Sequence, residues 1–111
     1  MSYLDDVAKA IRGRVPAGAL PAGDLDALFR LYAVLALGKG DAVTAQDVHN
    51  AWAAWKQERV ADHDALRPFA ELDPATQARD DPYVEAIRAA ARDLAIARPL
   101  GAQRARRDAE I

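Results

Sequence analysis

The chain contains no cysteine. That excludes a disulfide scaffold, thiolate metal sites and thiol catalysis, and it fits a reducing cytoplasm. Aromatic residues make up only 6% of the sequence, and His49 and His63 are its only histidines. The longest apolar run, LFRLYAVLAL, is too short to span a bilayer. The N-terminal stretch MSYLDDVAKAIRGRV places acids where a secretory signal needs bases, and no apolar segment follows it. Basic charge is not in excess either: the formal net charge is −2, which argues against binding nucleic acid through bulk electrostatics. Valine and isoleucine are few and never alternate with polar residues over a strand's length, so no sheet is expected. Together these absences describe a cytoplasmic protein whose partner is neither nucleic acid nor a membrane.

What the chain does have is alanine. Of its 111 residues 51% are hydrophobic, but 27 of them are alanine, leaving 30 large apolar side chains. That number fills one small core and no more. Alanine with Leu, Arg and Glu favours helix in almost every window. The expectation is a single all-α domain over residues 1–97, a bundle of four to five helices. A flexible basic tail over residues 98–111 follows, with four arginines against two acids.

The helix boundaries follow from caps and breakers. Ser2, with Asp5 three residues on, opens a first helix whose stripe is Leu4, Val7, Ala8 and Ile11. GRVPAGALPAGD ends it as a loop. Asp24 is read as the cap of a second helix, LDALFRLYAVLALGK, ending at Gly38 and Gly40. From Leu28 to Leu37 its only charged residue is Arg30, so it is placed at the centre of the bundle or at a dimer contact. Thr44 and Asp47 form a capping box for a third helix, with Val43 and Val48 at hydrophobic-staple spacing. VADHDALRPFAELDP is a turn-rich connection with one short helical turn. Asp73-Pro74 and Asp81-Pro82 are each read as an N-cap followed by a proline at the first helical position, opening a short helix and a long last one. The expected buried residues are Leu28, Tyr32, Leu35, Val48, Trp52, Leu66, Phe69, Ile87 and Leu94.

Catalytic machinery is hard to assemble from these residues. No serine or threonine stands in a nucleophile-elbow context, and the carboxylates fall at caps and loops where short acids stabilise the chain anyway. The two histidines lie 14 positions apart, without the spacing of a helical metal pair. GKGDAVTAQD resembles the latter half of a calcium loop but lacks its alternating acids. It also joins two helices as a helix-turn-helix does, but Asp47 and Glu58 offset Lys56 and Arg59 on the second. The chain is therefore read as non-catalytic, with no cofactor and no metal.

Trp52 and Trp55 carry two readings. Both share one helix face with Val48, as core residues would. Alternatively one packs inward while the other floors a cleft, with cations beside it suited to an anion or a flat base. The candidate ligand-binding set on that reading is His49, Trp52, Trp55, Lys56, His63 and Arg67.

VHNAWAAWK, a spacer, DHDALRPFAEL, an acidic break and a final helix together resemble the prokaryotic relatives of the ryanodine-receptor (RyR) repeat domain. His49, Trp52, Lys56, His63, Leu66, Pro68, Phe69 and Leu72 occupy the matching motif positions, and the resemblance spans residues 44–96. The family's Gly-Trp-Tyr-Gly segment is replaced here by QERVA, and Asp64 stands where a proline is usual. The resemblance implies a sensor of nucleotide-like signals. The whole chain is also similar to short proteins of high-GC actinobacteria and their phages. Two functions follow as expectations: an accessory module acting by protein–protein contact, as a homodimer or with another protein, and a binder of a nucleotide-like or anionic small molecule.

Overall fold

The computed structural model describes residues 2–94. The tail expected over residues 98–111 lies outside them. Five α-helices follow in order: α1 (Tyr3–Arg12), α2 (Asp26–Lys39), α3 (Ala45–Gln57), α4 (Pro74–Ala78) and α5 (Asp81–Asp93). The described residues contain no strand. The fold is the expected all-α bundle.

Helix α2 is its axis, packed on α1, α3 and α5. From α2, Leu28, Phe29, Tyr32, Ala33 and Ala36 are buried; α1 adds Val7, Ala8 and Ile11, and α5 adds Tyr83, Val84, Ile87 and Ala90. Three rings meet at the centre. Phe29 and Tyr32 stand edge to face at 5.4 Å between centroids, and Tyr83 closes the group at 5.4 Å from Tyr32. The Tyr83 hydroxyl donates to the Ala19 carbonyl at 2.5 Å, tying the α1–α2 loop to α5. Alanines such as Ala33, Ala36 and Ala90, all 0% exposed, let the helix backbones approach closely enough for these few rings to fill the interior.

Local chemistry explains most boundaries. The Ser2 hydroxyl accepts from the Asp5 amide, and the Thr44–Asp47 capping box is complete in both directions. Val43 and Val48, the staple pair, are both 0% exposed. Asp73 caps α4 through the Thr76 amide, with Pro74 at its first position. At Gly40 the backbone turns to φ +58°, where a Cβ would be strained, and α2 stops there; Gly38 lies inside the helix.

Two caps fall one residue from expectation. Leu25, not Asp24, holds the N-cap position of α2, because its side chain is 2% exposed and belongs to the core. Asp24 reaches in from outside and accepts the Asp26 amide at 3.0 Å. Similarly, Asp80 stands at the N-cap of α5 with near-helical dihedrals, and Asp81 is already helical, because the Val84 amide bonds the Asp80 carbonyl at 3.0 Å.

The expected core also needs correction. Leu28, Tyr32, Val48 and Ile87 are buried, but Leu35, Trp52, Leu66 and Phe69 are half-buried and Leu94 is 46% exposed. Leu94 lies past the last turn of α5, at its C-cap. Leu35 and Trp52 pack against the core from its flank, and Leu66 and Phe69 belong to the connection between α3 and α4. Trp55 and His49, absent from the expected core, are buried at 6% and 3%.

Candidate functional site

The capping box fixes where α3 begins, and therefore which residues face the loop that follows it. His49 sits one turn in and is the buried polar residue of the core. Its Nε2–H donates to the Arg67 carbonyl at 2.6 Å, pinning the returning loop to the helix. The same ring stacks on Trp52 (5.7 Å, 29°) and lies 6.0 Å from Phe69. Trp52 in turn meets the edge of His63 at 5.3 Å. His63 folds onto its own loop, Nδ1 accepting the Ala65 amide at 3.0 Å. The Phe69 carbonyl accepts from the Gln77 side chain at 2.9 Å, so the loop is held from α4 as well.

Of the six candidate ligand residues, the structure thus brings together His49, Trp52, His63 and the Arg67 backbone. It separates Trp55 and Lys56. Trp55 turns inward; the Arg59 guanidinium lies 4.5 Å and Lys56 Nζ 5.8 Å from its ring centroid. Its Nε1 is buried with no hydrogen-bond partner among the described residues. The tryptophans divide because α3 meets α2 on one side and the loop on the other.

Beyond His63 opens a groove of about 680 Å³, whose charged lining is Asp64, Arg67, Glu71, Asp73 and Arg79. Three acids face two arginines there, so the groove is not an anion trap of one sign. Glu71, Asp73 and Arg79 could not be chosen from sequence spacing, since only the fold-back of the loop brings them beside His63. Backbone and side-chain bonds from Thr76 hold the Asp73 carboxyl below the ordinary range. Beneath the aromatic cluster, burial raises the Asp80 carboxyl to about 6; His49 counteracts this and Asp81 adds to it. Burial likewise raises the Tyr83 hydroxyl, with Asp80 adding to it, and raises that of Tyr32 strongly.

A smaller hollow of about 280 Å³ lies between α1 and α2, lined by Asp5, Lys9, Arg12, Asp26, Phe29 and Arg30. Its charges are largely paired with one another: Arg30 with Asp5 at 3.0 Å and Arg12 with Asp26 at 3.4 Å. The Arg30 bond, then that of Ser2, lowers the Asp5 carboxyl. Among the described residues no group of three or more His, Asp or Glu side chains could hold a metal ion. No described helix is long and apolar enough to cross a membrane.

The outer side of α2 is a different kind of surface. On the side away from its buried stripe, Ala27, Val34 and Gly38 are exposed, while half-buried Leu31 packs against the core from its flank. Val34 is 54% exposed and the flanking Leu37 36%. The flanking cations are neutralised, Arg30 by Asp5 and Lys39 by Asp47 at 2.8 Å. Partial burial opposes ionisation of Asp47, but its bonds from Lys39 and Thr44 outweigh that and lower it.

No curated protein and no solved structure matches the chain. A family model described as "Domain of unknown function (DUF7701)" matches residues 2–92, from the cap of α1 to the last turn of α5. The chain belongs to that family.

Proposed function

We propose that this chain is a non-catalytic interaction module of the cytoplasm, acting by protein–protein contact through the outer face of α2. The observation that carries the reading is the exposure of Val34 and Leu37 on a helix already packed on three sides. No described residue covers them. Valine is a weaker helix former than alanine, lysine or glutamate, and an uncharged apolar strip on water favours association. The paired states of Arg30 and Lys39 leave that strip without an uncompensated charge. Both histidine rings are engaged in holding the loop, which supports a role without acid–base chemistry.

The test uses the absence of cysteine. Val34→Cys gives the chain one thiol, and its labelling by a maleimide is compared between native cells and dilute purified protein. A Glu85→Cys control reports general access. Several-fold protection of position 34 in cells, with none at 85, is expected. Equal labelling at both would overturn the reading.

A second reading, a binder of a nucleotide-like or anionic molecule, is favoured by the half-exposed Trp52 between His49 and His63, next to the groove that holds Arg67 and Arg79. Kinship with the RyR-repeat relatives belongs with it, because His49, Trp52, His63 and Phe69 of the resembling motif are neighbours; an actinobacterial or phage source is proposed from the Ala/Arg/Asp-rich composition alone. A thermal-shift screen of phosphate compounds tests it: ligand at about 100 times its dissociation constant adds about 2.7 kcal/mol. No shift with any of them would remove this reading.

A further inference from the structure

The connection from the end of α3 to the start of α4, residues 58–73, runs for 16 residues with one short helical turn. Connections of that length in a small ordered domain are uncommon, and the ordered ones usually carry function. This one is held at several points along its course. His49 donates to the Arg67 carbonyl at 2.6 Å, Gln77 to that of Phe69 at 2.9 Å, and the Leu66 amide to that of His63 at 3.0 Å. A loop pinned in this way presents its side chains to a ligand with little ordering left to do.

The groove beside His63 is lined by this loop and by α4, and its charges are of both signs without pairing to each other. Among the described residues Arg12, Arg14, Arg30, Lys39 and Arg88 each stand in an ion pair, whereas Asp64, Arg67, Glu71 and Arg79 stand in none. Asp73 is already engaged, accepting the Thr76 amide at 2.7 Å. His63 adds a donor. Its Nδ1 accepts the Ala65 amide, so the neutral ring carries its proton on Nε2, which has no partner among the described residues.

A simple anion set on Arg67 and Arg79 would lie near three carboxylates, and a simple cation set on the carboxylates would lie near two guanidiniums. A molecule carrying both signs meets both sets at once. Three carboxylates against two guanidiniums give the lining a net charge of −1, which a ligand of net charge +1 balances. From this we infer that the groove binds a free basic α-amino acid of the arginine type. Its carboxylate is held by Arg67, Arg79 and the Nε2–H of His63, and its ammonium and guanidinium by Asp64 and Glu71. Guanidinium–carboxylate contacts then form in both directions, and these are among the strong charge-assisted hydrogen bonds. The groove, at about 680 Å³, is of the size of small-ligand sites. It is the groove of the second reading above, but the ligand is of another class, so either can fail alone. The contacting charges are exposed to water, so a modest dissociation constant of about 0.1–1 mM is expected.

Isothermal titration of the purified chain with four probes, each to about 10 mM, tests this. L-arginine should bind saturably. L-citrulline, which lacks the guanidinium charge, and agmatine, which lacks the carboxylate, should each bind at least about fivefold more weakly. Adenosine monophosphate, an anion without the basic group, should not compete with L-arginine. Glu71→Gln and Arg79→Gln, both on exposed side chains, should keep the melting temperature and lose L-arginine affinity at least about fivefold, while Glu58→Gln, outside the groove, should match wild type. No saturable heat with L-arginine would overturn the inference. Equal binding of citrulline or of agmatine would overturn it too, as would full affinity in both groove variants. Binding of the nucleotide without binding of L-arginine would overturn it while leaving the second reading standing.

Discussion

Replacing His49 isolates what holds the loop after α3. The ring is 3% exposed, stacks on Trp52, lies near Phe69 and donates to the Arg67 carbonyl at 2.6 Å. His49→Ala removes the ring and the bond together. Loss of a buried side chain and of a partly buried hydrogen bond should cost about 2–4 kcal/mol. His49→Phe keeps an aromatic ring against Trp52 and removes only the donor, leaving the Arg67 carbonyl with less than it had. That should cost about 1–2 kcal/mol. Urea unfolding at pH 7, followed by circular dichroism and tryptophan fluorescence, gives both values by linear extrapolation. If His49→Ala cost less than about 1 kcal/mol, or no more than His49→Phe, the ring would not be the pin that joins loop to helix. A double-mutant cycle with Trp52→Ala should add a coupling of about 0.5–1.5 kcal/mol for the stacked pair.

Asp80 gives a pH-dependent prediction. Its carboxyl sits at about 6 in the fold against an ordinary 3.8, so the folded chain holds the proton more tightly than the unfolded one. Its contribution is therefore intact below about pH 4 and lost as pH rises through about 6. Asp80→Asn should stabilise the protein at pH 7 by about 1–2 kcal/mol, a figure discounted for partial exposure, and much less at pH 4; melting curves at both values check it. Thr44→Ala breaks the capping box of α3 and should cost about 1 kcal/mol in the same urea assay. Trp55→Ala should cost about 3–5 kcal/mol, whereas Val34→Arg, on the open side of α2, should stay within about 0.5 kcal/mol of wild type.

What the sequence revealed was local. Ser2, the Thr44–Asp47 box and Asp73-Pro74 act over three or four residues, so spacing alone located them. Leu25 and Asp80 escaped that logic because each cap is set by a tertiary demand: a core leucine at one, a helix started a residue early at the other. The centrality of α2 was legible from its lack of charge. The fate of the two tryptophans was not. A shared face at i and i+3 does not say that α2 covers one indole and a loop the other. His49 was read as a ligand candidate because its ring could donate to an anion beside the tryptophans, whereas it donates to a carbonyl 18 positions away. The groove beside His63 depends on the same fold-back, and no periodicity encodes it.

The central claim is that the outer face of α2 is covered by protein in the working state. Size-exclusion chromatography of extracts from cells crosslinked with formaldehyde before lysis, containing wild type or Val34→Arg, tests it most directly. Wild type should elute above the 12.0 kDa of a single chain and Val34→Arg at it, with both melting alike. Coincident elution of the two at the single-chain position would contradict the account.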